Sequence, residues 1–491
     1  MAVTSPDEGL TRREFVSRTA GLTSALAFPL VRDVAGGLAR TRVDPRIRAL
    51  ERAVRGPVVA PGDARYETDR LLFSAVYDHI RPLAIAHPVD AADVSAVVKW
   101  ARKTGIHIVP RSGGHSYGGY STTRGVVVDL SHLAGARVVN GRAVVGPGAR
   151  LGVIYDALAR DGRAIPAGTC PSVGIGGHAL GGGFGLASRA WGLASDNLVS
   201  AVVVTADGAV ITADGDHHAN LYWACRGGGG GNFGIVTRLV FRTHAVSRGS
   251  FFVATWPWAG VEEVLAAYLA WAPTAPDALG SVCRLAAGPA GPTVQVFGQF
   301  LGGESRLNGA LRGLRPSAPK LVVGTSSWLD LVRRWAGCLG HNLPGCSAPS
   351  HQVFVGTSDY IRRVPSPGQL AAFRDVVEAR GSASGALLID AYGGALNRIA
   401  PSATAFPHRN ELASIQYFAA GDATSARAWI DRSRAALAPA VSGDAYVNYI
   451  DPGLRNWQRA YYGPNLPRLQ RVKRRYDPHN VFHFGQSIRP H

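Results

Sequence analysis

Two glycine-rich stretches hold the residues best suited to chemistry. The first reads Arg111-Ser112-Gly113-Gly114-His115-Ser116-Tyr117, and the second runs from Gly168 through Cys170, Val173, Gly174, Gly177 and His178 to Gly182 and Gly185. Each offers backbone N–H groups with little side chain in front of them, and such nests bind anions without any lysine. A phosphate-bearing cofactor is therefore expected, although tight turns alone would also use these glycines. The dinucleotide fingerprint needs a strand, G-x-G-x-x-G, a helix and an acid about 20 residues on. That context is missing around 168–185. His115 and Cys170 place an imidazole and a thiol in the two stretches, and both groups can act as nucleophiles.

The five cysteines are Cys170, Cys225, Cys283, Cys338 and Cys346. No C-x-x-C pair or histidine-rich spacing accompanies them, so no metal site is expected. Cys338 and Cys346 form the one closely spaced pair able to close a loop. Ahead of the first glycine stretch, Val94, Val97, Val98 and Ala101 recur at helical spacing behind Asp90, giving a helix over 89–104. Ile106–Val109 then reads as a buried strand that delivers the chain to Arg111. Strands follow at 126–129, 143–146, 201–205 and 210–212, with an Asp207-Gly208 turn between the last two. The first half thus reads as α+β with hairpins and not as a run of βαβ units. Longer helices and strands alternate from about Ser250 (261–271, 293–300, 367–379, 387–392 and 425–437), as in a separate domain.

The chain has 491 residues, 46% hydrophobic and 18% charged, and its length favours two domains over one core. Its 52 basic and 34 acidic side chains leave a net charge of +18, yet only four of the basic residues are lysines and the arginines are spread throughout. No basic arm or aromatic-interleaved stripe is present, so a solvated basic surface is expected and a nucleic-acid partner is not. Near the start, Thr11-Arg12-Arg13-Glu14-Phe15-Val16-Ser17 precedes a short apolar stretch over 19–31. This is the pattern of a twin-arginine export signal, removed from a mature protein that begins near residue 40. That route exports folded proteins, commonly with the cofactor already inserted. The expected setting is extracytoplasmic, with the export machinery as a partner. No later run approaches the roughly 18 apolar residues of a membrane span, so no stable membrane association is expected.

The motifs R-S-G-G-H-S-Y at 111–117 and G-T-C-P-S-V-G-I-G-G-H at 168–178 resemble the berberine bridge enzyme-like branch of the FAD-linked oxidases, which have the vanillyl-alcohol-oxidase type of fold. The resemblance extends to W-A-C-R-G-G-G-G-G-N-F-G-I-V-T-R at 223–238, L-I-D-A-Y-G-G at 388–394, Y-V-N-Y-I-D at 446–451, and the segments Y-Y-G-P-N-L-P-R-L and Y-D-P-H-N-V-F. It implies an α+β fold: a two-part PCMH-type FAD-binding domain over 45–245, and an α+β substrate domain over 246–448 with an antiparallel sheet covered by helices. The closing segment, 449–491, returns to the FAD domain.

The resemblance also implies FAD bonded twice, through its 8α-methyl to His115 and through C6 to Cys170. Around it would lie Arg111, Ser112, Gly113, Gly114, Ser116, Tyr117, Val173, Gly174, Gly177, His178, Gly182 and Gly185. Gly234, Ile235 and Val236 belong to the adenine-side loop, and Asn448 to the C-terminal motif. Two bonds withdraw electron density from the ring and favour hydride acceptance. The family's base is a tyrosine, here Tyr449, with Tyr392 as its partner by motif; a free phenol has a pKa of about 10, so the site must stabilise the phenolate. Bridge-forming members carry a glutamate where this chain has Gln416, which argues against carbon–carbon bridge formation. Val173 occupies the family's oxygen-gate position and resembles its oxygen-accessible form. Tyr117 and Phe184 would wall the ring. The function implied is oxidation of an alcohol group of a sugar, an oligosaccharide or a glycosylated metabolite, with O2 reduced to hydrogen peroxide. Dehydrogenation or oxidative cyclisation of a non-sugar natural product is the alternative. Trp256, Trp258, Trp328 and Trp335 could stack on sugar rings, but most are expected in the core.

Overall fold

The computed structural model describes residues 44–314, 319–348 and 350–491, so the twin-arginine motif lies outside the described residues. The helix that leads to the first glycine loop is Ala91–Thr104, capped by Asp90, whose carboxylate accepts from Asp93 N–H at 2.9 Å. Its Val94, Val97, Val98 and Ala101 are buried, as the spacing requires. The helix packs on a four-stranded sheet in the order Val58–Val59, Ala84–Ala86, Val126–Asp129, Ile108–Arg111. Here hairpins alone do not describe the chain. Ala84–Ala86 and Ile108–Arg111 both run parallel to Val126–Asp129, so strand, helix and strand form one crossover unit. Three residues are too few to show periodicity, and the leading strand was invisible in the sequence for that reason.

A second, antiparallel sheet has the order Ala136–Val139, Arg142–Val145, Ile235–Arg242, Leu198–Val204, Val210–Ala213. Its first hairpin turns at Asn140-Gly141, both at positive φ (49° and 72°), as a two-residue hairpin turn demands.

The third sheet is antiparallel with seven strands, ordered Lys320–Ser327, Arg248–Trp256, Thr293–Phe300, Leu279–Ala287, Gly385–Ala391, Ala413–Ala420, Phe354–Ile361. Side chains alternate between its faces. Phe252, Cys283, Leu285, Leu387, Ile389 and Ile415 meet the helices Val261–Trp271, Pro367–Glu378 and Ala423–Leu437. Their neighbours Phe251, Val282, Ala386 and Leu388 face the other way, toward Leu186 and Trp335. Cys338 and Cys346 are joined in a disulfide.

The basic run at 468–475 lies on the helix Leu466–Tyr476 and is folded, as its pattern implied. Lys473 on that helix is fully buried; its Nζ donates to Asn232 O at 2.7 Å, Asp477 Oδ2 at 2.6 Å and Phe482 O at 2.5 Å. The end of the chain is thereby fastened to the glycine loop at 227–232. Lys473→Met leaves Asp477 buried without its cation, which costs about 3–5 kcal/mol. The expected result is a clear fall in the denaturant midpoint, measured by tryptophan fluorescence.

Candidate active site

A cleft of about 380 Å³ lies between the glycine loops and the face of the seven-stranded sheet that carries Arg284, Ala386 and Leu388, within the usual size range of small-molecule and cofactor sites. The first loop leaves the strand Ile108–Arg111 and is held from behind. Arg111 Nε donates to Asp129 and its Nη2 to Asp69 O. Arg111 therefore does not line the cleft. It braces the strand end, a correction to its expected role at the cofactor. Ser112 Oγ donates to Pro147 O and accepts from Gly176 N–H, which ties the two loops together. Gly113 and Gly174 meet backbone to backbone, and a Cβ on either would stand 2.3 Å from the other's nitrogen.

The N–H groups of Ser112 to Ser116 find no protein acceptor among the described residues. Facing the same cleft, a Cβ at Gly177 would meet nothing within 4 Å, and one at Gly230 would meet only Gly177 Cα. Unmatched donors beside an open glycine cradle fit an anionic, pyrophosphate-bearing cofactor. Gly234, Ile235 and Val236 also line the cleft, with Gly114, Ser116 and Val173. Gly182 and Gly185 do not. A Cβ at Gly185 would lie 1.8 Å from Ala167 O, and one at Gly182 would press on Phe406 and Tyr446. These two glycines shape the turn that presents Phe184, instead of touching the ligand as expected.

His115 stacks on Phe73 with ring centroids 4.1 Å apart, and burial, assisted by the charge of Arg150, pushes its pKa down to about 3. The imidazole is neutral, the state in which it is a nucleophile. Its Nε2 is 3.1 Å from Ser172 Oγ, which is 3.5 Å from Cys170 Sγ. His178 accepts from Gly168 N–H, and burial pushes it down to about 4.

Tyr449 lines the same cleft, on the short turn Val447–Tyr449. Its ring stacks on Tyr117 at 5.3 Å and meets Tyr446 edge-on at 5.2 Å. Gln416 Nε2 donates to Tyr117 Oη at 2.6 Å, so the seven-stranded sheet sets the position of the aromatic wall. Asn448 Nδ2 donates to His178 O and to Tyr446 Oη, and Tyr446 Oη accepts from Gly183 N–H. The base motif and the second glycine loop are thus one hydrogen-bonded unit. Tyr392 is placed differently from its expected role. It lies off the cleft lining, behind Phe184, with ring planes 6° apart and centroids at 5.4 Å. Its hydroxyl donates to Tyr360 Oη at 3.4 Å, and burial holds its pKa well above the ordinary phenol value. Tyr392 backs the wall as a neutral phenol.

Sequence reasoning missed Arg284, a buried cation that lines the cleft from the strand Leu279–Ala287. An arginine inside Ser-Val-Cys-Arg-Leu-Ala-Ala was the available signal, since a buried cation in an apolar strand needs a reason. Trp335 also lines the cleft, stacked on Phe297 and donating to Gln299 Oε1 at 3.1 Å. Trp256 and Trp328 are buried in cores, and Trp258 packs beside one. His408, Glu411 and Asp444 come together off the cleft lining, but Arg362 already donates to both carboxylates.

Comparison with known proteins supports the same reading. A family model described as FAD binding domain matches residues 82–214, and one described as berberine and berberine like matches 445–489. The uncharacterized FAD-linked oxidoreductase YgaK of Bacillus subtilis is 35% identical over 89% of this chain and 97% of its own length. The chain belongs to the berberine bridge enzyme-like FAD-linked oxidoreductases. The enzyme is also 31% identical to a chitooligosaccharide oxidase of Gibberella zeae, over 88% of this chain and 92% of that one. Among solved structures, Physcomitrella patens BBE-like 1 superposes with a TM-score of 0.84 at 32% identity, covering 91% of this chain and 99% of that one. The enzyme is therefore an FAD-dependent oxidoreductase of α+β fold, and the cradle described above is where its own residues fit FAD.

Proposed function

We propose that the enzyme oxidises an alcohol carbon of a sugar, an oligosaccharide or a glycosylated metabolite and passes the electrons to dioxygen, releasing hydrogen peroxide. The observation that carries this reading is that Tyr449 lines the same cleft as His115 and Cys170. A proton acceptor and the two cofactor-facing nucleophiles share one chamber. FAD, bonded to His115 and Cys170, supplies the hydride acceptor. Tyr449 takes the hydroxyl proton, Tyr117 and Gln416 hold the wall beside it, and Trp335 offers a flat face for a sugar ring. Gln416 stands where a bridge-forming enzyme would carry a second carboxylate base, which favours simple alcohol oxidation over cyclisation. The sugar oxidised by the similar chitooligosaccharide oxidase supports the substrate class. Passage through a twin-arginine route to an extracytoplasmic location belongs to the same reading, as does a small molecule in place of nucleic acid as partner.

Acid-denatured protein is expected to retain its yellow colour, with flavin on the His115 and Cys170 peptides. Peroxide release across mono- and oligosaccharides would then identify the substrate; colourless, correctly folded protein would overturn the reading. Val173 lines the cleft beside the loop that bears Cys170. Val173→Leu is expected to slow reoxidation by O2 roughly tenfold or more, equivalent to at least about 1.4 kcal/mol of barrier. Stopped-flow measurement should show anaerobic reduction by substrate unchanged.

A further inference from the structure

Ser172 Oγ lies 3.1 Å from Nε2 of His115 and 3.5 Å from Sγ of Cys170. Ser172 is only 5% exposed. A hydroxyl has one proton and two lone pairs. When Oγ–H is spent on one of these two partners, the relay runs in one of two directions. In one, Sγ–H donates to Oγ and Oγ–H donates to Nε2; the sulfur then keeps its proton and the imidazole carries its own on Nδ1, so neither atom can attack. In the other, Nε2–H donates to Oγ and Oγ–H donates to Sγ. Nδ1 then presents a lone pair, and the sulfur is supported as an anion. Burial that keeps His115 neutral leaves the ring a single proton to place, so the choice of nitrogen decides its reactivity.

We infer that Ser172 is the positioning residue that readies both His115 and Cys170 for bonding to the flavin, through one rotatable hydroxyl. This rests on the bicovalent reading above. In the first bond, Nδ1 joins the 8α-carbon; the methyl loses one proton and the Nε2 proton departs through Ser172 Oγ. In the second, Sγ joins C6, and the thiol proton and the C6 proton depart. Each bond leaves two electrons on the ring, and dioxygen takes them with the two protons as one hydrogen peroxide. The sites are coupled because a single serine serves them both.

The test compares Ser172→Thr, which keeps the hydroxyl, with Ser172→Val, which has the same shape without it. Each full-length protein is isolated at intervals during expression, held in air with added FAD, and digested. The fraction of His115 and Cys170 peptides carrying flavin is then followed by mass. The expected result is bonding in the threonine variant near the wild-type rate, and in the valine variant slower at both residues by about ten- to a hundredfold, the effect of losing a hydrogen bond to a charged group. Ser172→Ala gives the same comparison should the valine variant not fold. Bonding at the wild-type rate in both the valine and the alanine variants, or slowing at one residue alone, overturns the shared role while leaving bicovalent attachment intact. Wild-type protein with no covalent flavin overturns both.

Discussion

Replacing Tyr449 by phenylalanine is expected to lower kcat by about 10²–10⁴, the usual worth of a positioned general base, while flavin stays attached. The ring that stacks on Tyr117 and meets Tyr446 remains, so the packing of the wall is kept and only the proton acceptor is lost. The anaerobic rate of flavin reduction by substrate isolates this step from reoxidation. A variant that reduces at the wild-type rate would remove Tyr449 from the chemistry. Tyr392→Phe serves as the contrast. Tyr392 lies behind Phe184 and hydrogen-bonds to Tyr360, so its loss is expected to change stability by about 1 kcal/mol and kcat by far less than the Tyr449 change.

Gly177→Val is expected to produce a folded protein that does not hold FAD. A Cβ at this position meets no protein atom within 4 Å, and valine is a better helix former than glycine, so the chain has no reason to unfold. The branched side chain instead occupies the cradle between Gly177 and Gly230. Displacing two hydrogen bonds to a phosphate, at about 1.5–3 kcal/mol each, weakens cofactor binding roughly 10²–10⁴-fold. The ratio of visible to ultraviolet absorbance reports the loss, and circular dichroism shows whether the fold remains. Gly185→Val should do the opposite, lowering expression of folded protein outright, because its Cβ would stand 1.8 Å from Ala167 O.

The contrast between these glycines shows what was legible in the sequence and what was not. Glycine density marked both loops, and the residues that touch the cleft, from Ser112 to Ser116 and at Gly174, Gly177 and Gly234, fall inside the stretches expected. Density does not distinguish a glycine that admits a ligand from one that admits a neighbouring carbonyl, so Gly182 and Gly185 were misplaced with their neighbours. Arg111 failed for a related reason: a cation next to an anion-binding loop suggests phosphate, but Asp129, eighteen residues on, holds it first. Tyr392 follows directly on the strand Gly385–Ala391, and the packing of Phe184 against it keeps it off the lining. Arg284 was hidden by register, whereas Trp335 was among the four tryptophans considered for ring stacking and is the one of them that lines the cleft. Shifting its strand by one residue would send Arg284 into the core on the other face, and nothing local in the sequence fixes that choice. The periodic helices at 91–104 and 261–271 carried the strongest signal and lie within two residues of the ends expected for them.

The salt-bridged tether at Lys473 also sets an order of events in the cell. His483 and Phe484 line the cleft, and Ile488 N–H donates to Asn232 Oδ1 in the glycine loop. The chamber is closed by residues that leave the ribosome hundreds of positions after the loops bearing His115 and Cys170. At a synthesis rate of roughly 5–20 residues per second, those loops wait tens of seconds before their last wall arrives. A chain that stops before Lys473 would carry His115 and Cys170 but no finished chamber around them. The walls of the chamber are thus joined across the whole length of the chain, and only a chain that reaches Ile488 can assemble them.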